Sequence, residues 1–181
     1  KRYIKESKDV RFEGNGYSDE WEQESLKRGL ANIKTTPKAL DADISEKSME
    51  LFEKTKVFSK REAHARHEIR LESFYKKLQI EARIMGELVN NVIIPASITY
   101  QSKLVENVKG LKDLGLNEGT YKAQLEIISK ISEHVNFIKS NVDEMIEERK
   151  KANIIEDVRE KSIAYDEKVK TFFDPIRYHV D

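Results

Sequence analysis

Apolar positions along this chain keep one rhythm over its second two thirds and lose it near the N-terminus. From residue 59 onward Ile69, Leu71, Phe74, Leu78, Met85, Leu88, Val89 and Val92 recur mostly at steps of three and four among charged residues, the period of an amphipathic helix. A start signal precedes the run. Ser59 and Glu62 stand in the S-x-x-E spacing of a capping box, with Phe58 just ahead of the cap. Pro95 has no amide hydrogen and crowds the carbonyl four residues earlier, so a kink or short break is predicted near Asn91 to Ile94. The pattern resumes through Ile98, Leu104, Val105, Val108 and Leu111 and stops at Gly115. At ~1.5 Å per residue the stretch before Pro95 alone spans roughly 50 Å. That is longer than a compact domain of this size is wide, so the helix should project or pack on a partner.

A second long helix is predicted from about Asn117, with Tyr121, Leu125, Ile128, Ile131, Val135, Ile138, Val142 and Met145 or Ile146 at near-heptad spacing. The Gly115–Gly119 connection is short, which makes the two long helices antiparallel neighbours. A third helix carries Ile154, Val158, Tyr165, Val169 and Phe172 or Phe173 on one side, and Asp174-Pro175 should end or bend it.

Before Ser59 the punctuation is denser. Val10-Arg11-Phe12 is too short to assign as a strand, and Gly14-Asn15-Gly16 reads as a loop. Ser18 or Asp19 should cap a short helix whose first turn holds Asp19, Glu20 and Glu22, with Gly29 ending it. Thr36-Pro37 reads as an N-cap followed by an N1 proline, and a third short helix spans roughly Ser45 to Thr55. The expected fold class is all-α, with long antiparallel helices in an elongated bundle and a short irregular N-terminal segment.

Composition narrows the chemistry. Of 181 residues 36% are charged and 38% apolar, a balance that long helices with one apolar stripe would give. Lys plus Arg number 33 and so do Asp plus Glu. A formal charge of zero argues against nucleic acid or an anionic membrane as partner. Cysteine is absent, which excludes disulfides, zinc fingers and thiol catalysis. No apolar run approaches membrane-spanning length, and Lys1 to Asp9 is too polar for a signal peptide, so a cytoplasmic protein is expected. The start at Lys1 and the pattern still running at Asp181 suggest a piece of a longer chain.

Three motifs offer candidate chemistry, beside one tryptophan and one apolar stripe. His64, His67 and Glu68 share a helix and could offer two imidazoles and a carboxylate to a metal. The surrounding Arg61, Arg66 and Arg70 favour a solvated face instead. No histidine has Glu three residues before it, as a di-iron bundle would need. Asn90 and Asn91 either line a polar pocket or satisfy backbone groups freed by the proline, the second being preferred. Gly14-Asn15-Gly16 is a weak phosphate-loop signal without a GK[ST] sequence after it. Trp21 reads as a packing residue. The Tyr121–Ile146 stripe is expected to pack on the Ile69–Leu111 helix, with some apolar surface left over for another subunit. No catalytic, cofactor-binding or metal-binding position is assigned.

An ordered series of segments goes further. Phe12-Glu13-Gly14-Asn15-Gly16-Tyr17-Ser18-Asp19-Glu20-Trp21 is followed by Lys27-Arg28-Gly29-Leu30 and Thr35-Thr36-Pro37-Lys38-Ala39-Leu40. Then come Leu51-Phe52-Glu53-Lys54, Val57-Phe58-Ser59-Lys60-Arg61-Glu62 and Ala65-Arg66-His67-Glu68. Gln79-Ile80-Glu81-Ala82-Arg83, Ile93-Ile94-Pro95-Ala96 and Glu106-Asn107-Val108-Lys109-Gly110-Leu111-Lys112 complete it. Over residues 10 to 112 this series resembles type III glutamine synthetases. The resemblance implies a parent enzyme that ligates ammonia to glutamate with ATP through glutamyl phosphate, using Mg or Mn. It implies a large homo-oligomer, a dodecamer of two stacked hexameric rings. Residues 1 to 40 would be the tail end of the catalytic region and 41 to 181 a helical C-terminal domain. The family's catalytic glutamates and arginines match no position here, so this piece by itself is expected to be non-catalytic, without cofactor, and to serve assembly or regulation. A free-standing helical adaptor is the alternative.

Overall fold

In the computed structural model, which describes residues 2–181 apart from the side chain of Asp9, the chain runs through helices α1 Arg2–Glu6, α2 Asp19–Lys27, α3 Thr36–Leu40 and α4 Glu46–Thr55. It continues through α5 Lys60–Leu88, α6 Ile94–Asp113, α7 Lys122–Asn153, α8 Val158–Ala164 and α9 Phe173–Val180. No strand forms among the described residues, so Val10-Arg11-Phe12 lies outside any sheet.

Local chemistry sets the helix ends. The capping box forms as predicted: Glu62 N–H donates to Ser59 Oγ at 3.3 Å, and Ser59 N–H donates to the Glu62 carboxylate at 2.8 Å. Gly29 (φ +70°) and Gly115 (φ +77°) terminate α2 and α6 in the left-handed region that glycine adopts at little cost. After each, two amides turn back to otherwise orphaned carbonyls, Leu30 to Ser25 and Gly29 to Leu26, then Leu116 to Leu111 and Gly115 to Lys112. At Thr36-Pro37 the prediction is one residue off. Thr35 holds the N-cap position, yet its hydroxyl is buried and bonds to nothing, so Thr36 begins α3.

Pro95 does not split the long helix. The turn from Val89 to Ile93 widens into a π-helix, and Ile94 N–H reaches the Val89 carbonyl five residues back. Asn90 Nδ2 donates to Gly86 O at 3.0 Å, while Asn91 faces solvent. Helical backbone is therefore continuous from Lys60 to Asp113, 54 residues, or about 80 Å.

Against this rod α7 runs antiparallel. Asn107 Nδ2 donates to Gln124 at 2.7 Å, Gln101 Nε2 to the Ile128 carbonyl at 2.8 Å, and Gln79 Nε2 to Asn153 at 2.8 Å. Gly86 faces Val142 and Ile146 between the last two pairs. α7 starts at Lys122, later than the expected Asn117, because Glu118–Thr120 first forms a 3-10 turn. After the turn at Ile154, which lies 81% exposed rather than on the third helix's apolar side, the chain reverses and runs parallel to α5. Ser162 Oγ reaches the Leu71 carbonyl at 3.0 Å, and Tyr165 stacks on Tyr75 at 5.9 Å. This third rod widens into a second π-turn at Tyr165–Val169 that no proline or glycine announced. Pro175 does not end it. The 3-10 turn Lys170–Phe172 comes first, and Pro175 then falls in the first turn of α9, where its absent amide has no intrahelical partner to lose.

Three rods thus meet along part of their length, and the core sits where all three overlap: Leu78, Ala82, Val89, Ile138, Val142, Met145, Tyr165, Val169 and Ile176. Val142, Met145, Tyr165 and Val169 have no measurable exposure. Tyr165 keeps its hydroxyl paired to Asn153 at 2.5 Å, and burial pushes its phenol up from the ordinary value. Beyond the core α6 continues with α7 as a two-helix arm in which α6 buries no residue fully. The Tyr121–Ile146 stripe packs on α5 and α6 as expected, most deeply from Ile138 to Met145. On the first rod the inward residues are Leu71, Leu78 and Val89, whereas Ile69, Leu88 and Val92 of the predicted stripe face outward.

Gly86 faces α7, and a Cβ there would meet the Ile146 side chain at 3.6 Å, an ordinary contact. Gly86→Ala should therefore stabilise the chain by about 0.5–1 kcal/mol through helix propensity. Gly86→Leu should overpack the seam and destabilise it by about 1–3 kcal/mol. Urea unfolding midpoints at unchanged slope are the measurement.

Candidate functional site at the helical joint

The predicted metal trio does not assemble. His67 is buried and turns inward, while His64 and Glu68 point to solvent. Among the described residues no three His, Cys, Asp or Glu side chains come together as metal ligands. Among the described residues no donor set fits the Mg or Mn implied by the resemblance. Asn15 of Gly14-Asn15-Gly16 accepts from the residues that follow: Tyr17 N–H donates to Asn15 Oδ1 at 3.0 Å and Ser18 N–H to the Asn15 carbonyl at 3.0 Å. The Phe12 ring covers Gly14, within 2.6 Å of where a Cβ would stand, and packs on Trp21 at 4.8 Å between centroids. The loop is closed by an Asx turn and an aromatic lid rather than opened toward phosphate. Asn90 serves the backbone, as preferred.

Two apolar surfaces face solvent. On α5 the residues Ile80, Ile84 and Leu88 step by four, and Val92 continues the line into the π-turn. Ile84 and Leu88 form one wall of a groove of about 460 Å³ whose other wall is Phe173, Ile176 and Val180. On the arm Ile98, Val105, Leu125 and Ile127 are each at least a third exposed. Between α7 and α9 two imidazoles meet, His134 Nδ1 and His179 Nδ1 lying 2.8 Å apart. Forty-five residues separate them in sequence, so no spacing rule could have paired them.

The joint proper is where the N-terminal segment grips the bundle. Asp41, in the 3-10 turn Asp41–Ile44 after α3, accepts a two-pronged hydrogen bond from Arg159 of α8, with Nε at 2.8 Å and Nη2 at 2.7 Å. The fork geometry matches a guanidinium to a carboxylate. His67 Nε2 approaches the same carboxylate at 3.6 Å, too far for a hydrogen bond, and has no other partner. Lys38 pairs with Glu167 at 2.7 Å and Arg70 with Asp43 at 2.5 Å. Three charged contacts thus tie residues 38–43 to both α5 and the third rod. Among the described residues the joint is made of ion pairs and hydrogen bonds between the N-terminal segment and the bundle.

The Arg159 guanidinium, by hydrogen bond and by charge, holds the Asp41 carboxyl below its ordinary range, and His67 adds to this. A carboxyl depressed in the folded state contributes stability that is full above its unfolded value near 3.9 and is lost as pH falls through the folded value. Asp41→Asn should therefore cost about 1 kcal/mol at pH 7, and the gap from the unmodified chain should close below about pH 4. Chemical unfolding of both at several pH values checks this; a gap that does not change with pH counts against the pair.

Known proteins are similar to this chain in sequence. Residues 1–112 match a family model described as the glutamine synthetase C-terminal domain. The chain is 39% identical over 185 aligned residues to a glutamine synthetase of Bacteroides fragilis (strain YCH46), covering 100% of this chain and 25% of that protein. It is 30% identical over 174 residues to a glutamine synthetase of Butyrivibrio fibrisolvens, covering 96% and 25%. It is 33% identical over 132 residues to the type-3 glutamine synthetase of Dictyostelium discoideum, covering 71% and 18%. The chain spans about a quarter of the length of the first two relatives. Among the described residues no helix is long and apolar enough to cross a membrane. With a family model over more than half its length and an ordered match along all of it, the chain belongs to the glutamine synthetase C-terminal domain family.

Proposed function

We propose that the chain is the helical C-terminal module of a type III glutamine synthetase, and that it serves assembly while the rest of the enzyme does the chemistry. On this reading the whole protein ligates ammonia to glutamate with ATP through glutamyl phosphate. ATP and Mg or Mn bind outside this piece, and residues 1 to 40 are the end of the catalytic region. The whole is a cytoplasmic homo-oligomer, a dodecamer of two stacked hexameric rings. The observation that carries the assembly role is the arm. α6 and the first half of α7 extend past the three-rod core and leave Ile98, Val105, Leu125 and Ile127 partly exposed on a rigid two-helix hairpin. Such a hairpin offers an apolar, low-entropy surface to a second subunit.

The adaptor reading rests on the same exposed surfaces, and the codons upstream of Lys1 separate the two. An open frame running on for several hundred codons supports the enzyme, and an initiator Met close to Lys1 supports the adaptor.

Two measurements test the proposal. The purified 181-residue chain should form no glutamine from glutamate, ammonia and ATP; measured turnover defeats the non-catalytic role. In the full-length enzyme, Val105→Asp with Ile127→Asp should shift sedimentation from ring-sized particles to smaller species. Unchanged ring-sized particles would overturn the assembly role of the arm.

A further inference from the structure

We infer that His134 and His179 form a two-imidazole site for a divalent transition metal, Cu²⁺ or Ni²⁺, that straps α9 onto α7. This inference does not depend on the proposed function. It starts from one distance: the two Nδ1 atoms are 2.8 Å apart. Imidazole nitrogen sits about 2.0–2.1 Å from a bound divalent metal. Two nitrogens 2.8 Å apart on one ion therefore subtend an angle of about 85° at it. That is the angle between adjacent positions of a square-planar or octahedral ion, and too narrow for a tetrahedral one. Geometry thus favours Cu²⁺ and Ni²⁺ over Zn²⁺, and so does the general affinity order for Cu²⁺.

The rings are held for this role. His179 stacks on Phe137 at 3.8 Å between centroids and 24° between planes, and Tyr178 meets its edge at 5.2 Å. Three residues before it, Ile176 is buried in the core and fixes the helix that carries the ring. His134 is exposed, so an ion reaches the pair from solvent. No second hydrogen bond to a described residue engages either ring.

Without metal, one neutral ring donates its Nδ1 proton to the other. On binding, that proton moves to Nε2 of its own ring through solvent, both Nδ1 lone pairs face the ion, and no net proton is released. Water fills the remaining positions, because no third His, Asp or Glu among the described residues completes the set.

Titration calorimetry of the 181-residue chain with NiCl₂, CuCl₂ and ZnCl₂ tests this. One Ni²⁺ or Cu²⁺ should bind per chain and raise the melting temperature. His134→Ala, at an exposed position, should weaken binding about tenfold or more while leaving helical content unchanged. His179→Ala should do the same, and His64→Ala should have no effect. In Cu²⁺ electron paramagnetic resonance, hyperfine structure from two equatorial nitrogens should reduce to one in His134→Ala. Absence of stoichiometric binding, binding indifferent to His134→Ala, or Zn²⁺ binding tighter than both other ions would overturn the assignment.

Discussion

Pro95 has no amide hydrogen to give, and the long helix survives it because the turn ahead of it widens. At the end of the Val89–Ile93 π-turn the Ile94 amide reaches the Val89 carbonyl, five residues back, so the ladder closes around the missing donor and the axis continues. Asn90 supports that turn from its side chain by bonding the Gly86 carbonyl. The consequence is a single rod from Lys60 to Asp113. Had the helix broken at Pro95, α6 could have folded back on α5. Because it does not, α7 lies along the rod from Asn107 back to Gln79, and the third rod covers the part nearer Leu71 that α7 leaves open.

That rod has three zones, set by what it touches. Its first turns meet the N-terminal segment through charges: Arg70 with Asp43, and His67 beside the Asp41–Arg159 fork. Its middle meets α7 and the third rod through apolar contact, with Gly86 against Val142 and Ile146, and buries Leu78, Ala82 and Val89. Its far end meets α7 alone, with polar rungs from Gln101 and Asn107 between half-buried aliphatics. Two helices cannot surround each other, so the arm stays partly apolar at its surface. This geometry leaves Ile98, Val105, Leu125 and Ile127 partly exposed on the arm, while the joint is held by charge pairs and the three-rod core is filled by apolar side chains.

Much of this was legible in the residues. The Ser59–Glu62 cap, the glycine stops at Gly29 and Gly115, the antiparallel pairing and a local irregularity just before Pro95 all follow from interactions within a few residues of each other, which is the range over which sequence spacing speaks. The errors are of two kinds. Thr36-Pro37 and Asp174-Pro175 were misread because proline is tolerated anywhere in a first helical turn, so it marks a start only to within a residue or two. Ile69, Leu88 and Val92 were placed inward because a stripe of period 3.6 shows that a helix has an apolar face without saying how many partners cover it.

The sequence by itself determined that this is an all-α chain of long antiparallel helices, the capped start at Ser59 and the glycine stops at Gly29 and Gly115, and which family it resembles. These depend on local hydrogen bonding, capping and the order of residues. The tertiary structure alone decided that His67 turns inward toward Asp41 and Arg159, away from His64 and Glu68. It alone showed that Asn153 receives both Gln79 and Tyr165, and that His134 meets His179. Each of these pairs residues from separate rods, and their distances depend on crossing geometry and on the two π-turns, neither of which is written in the spacing of any one helix.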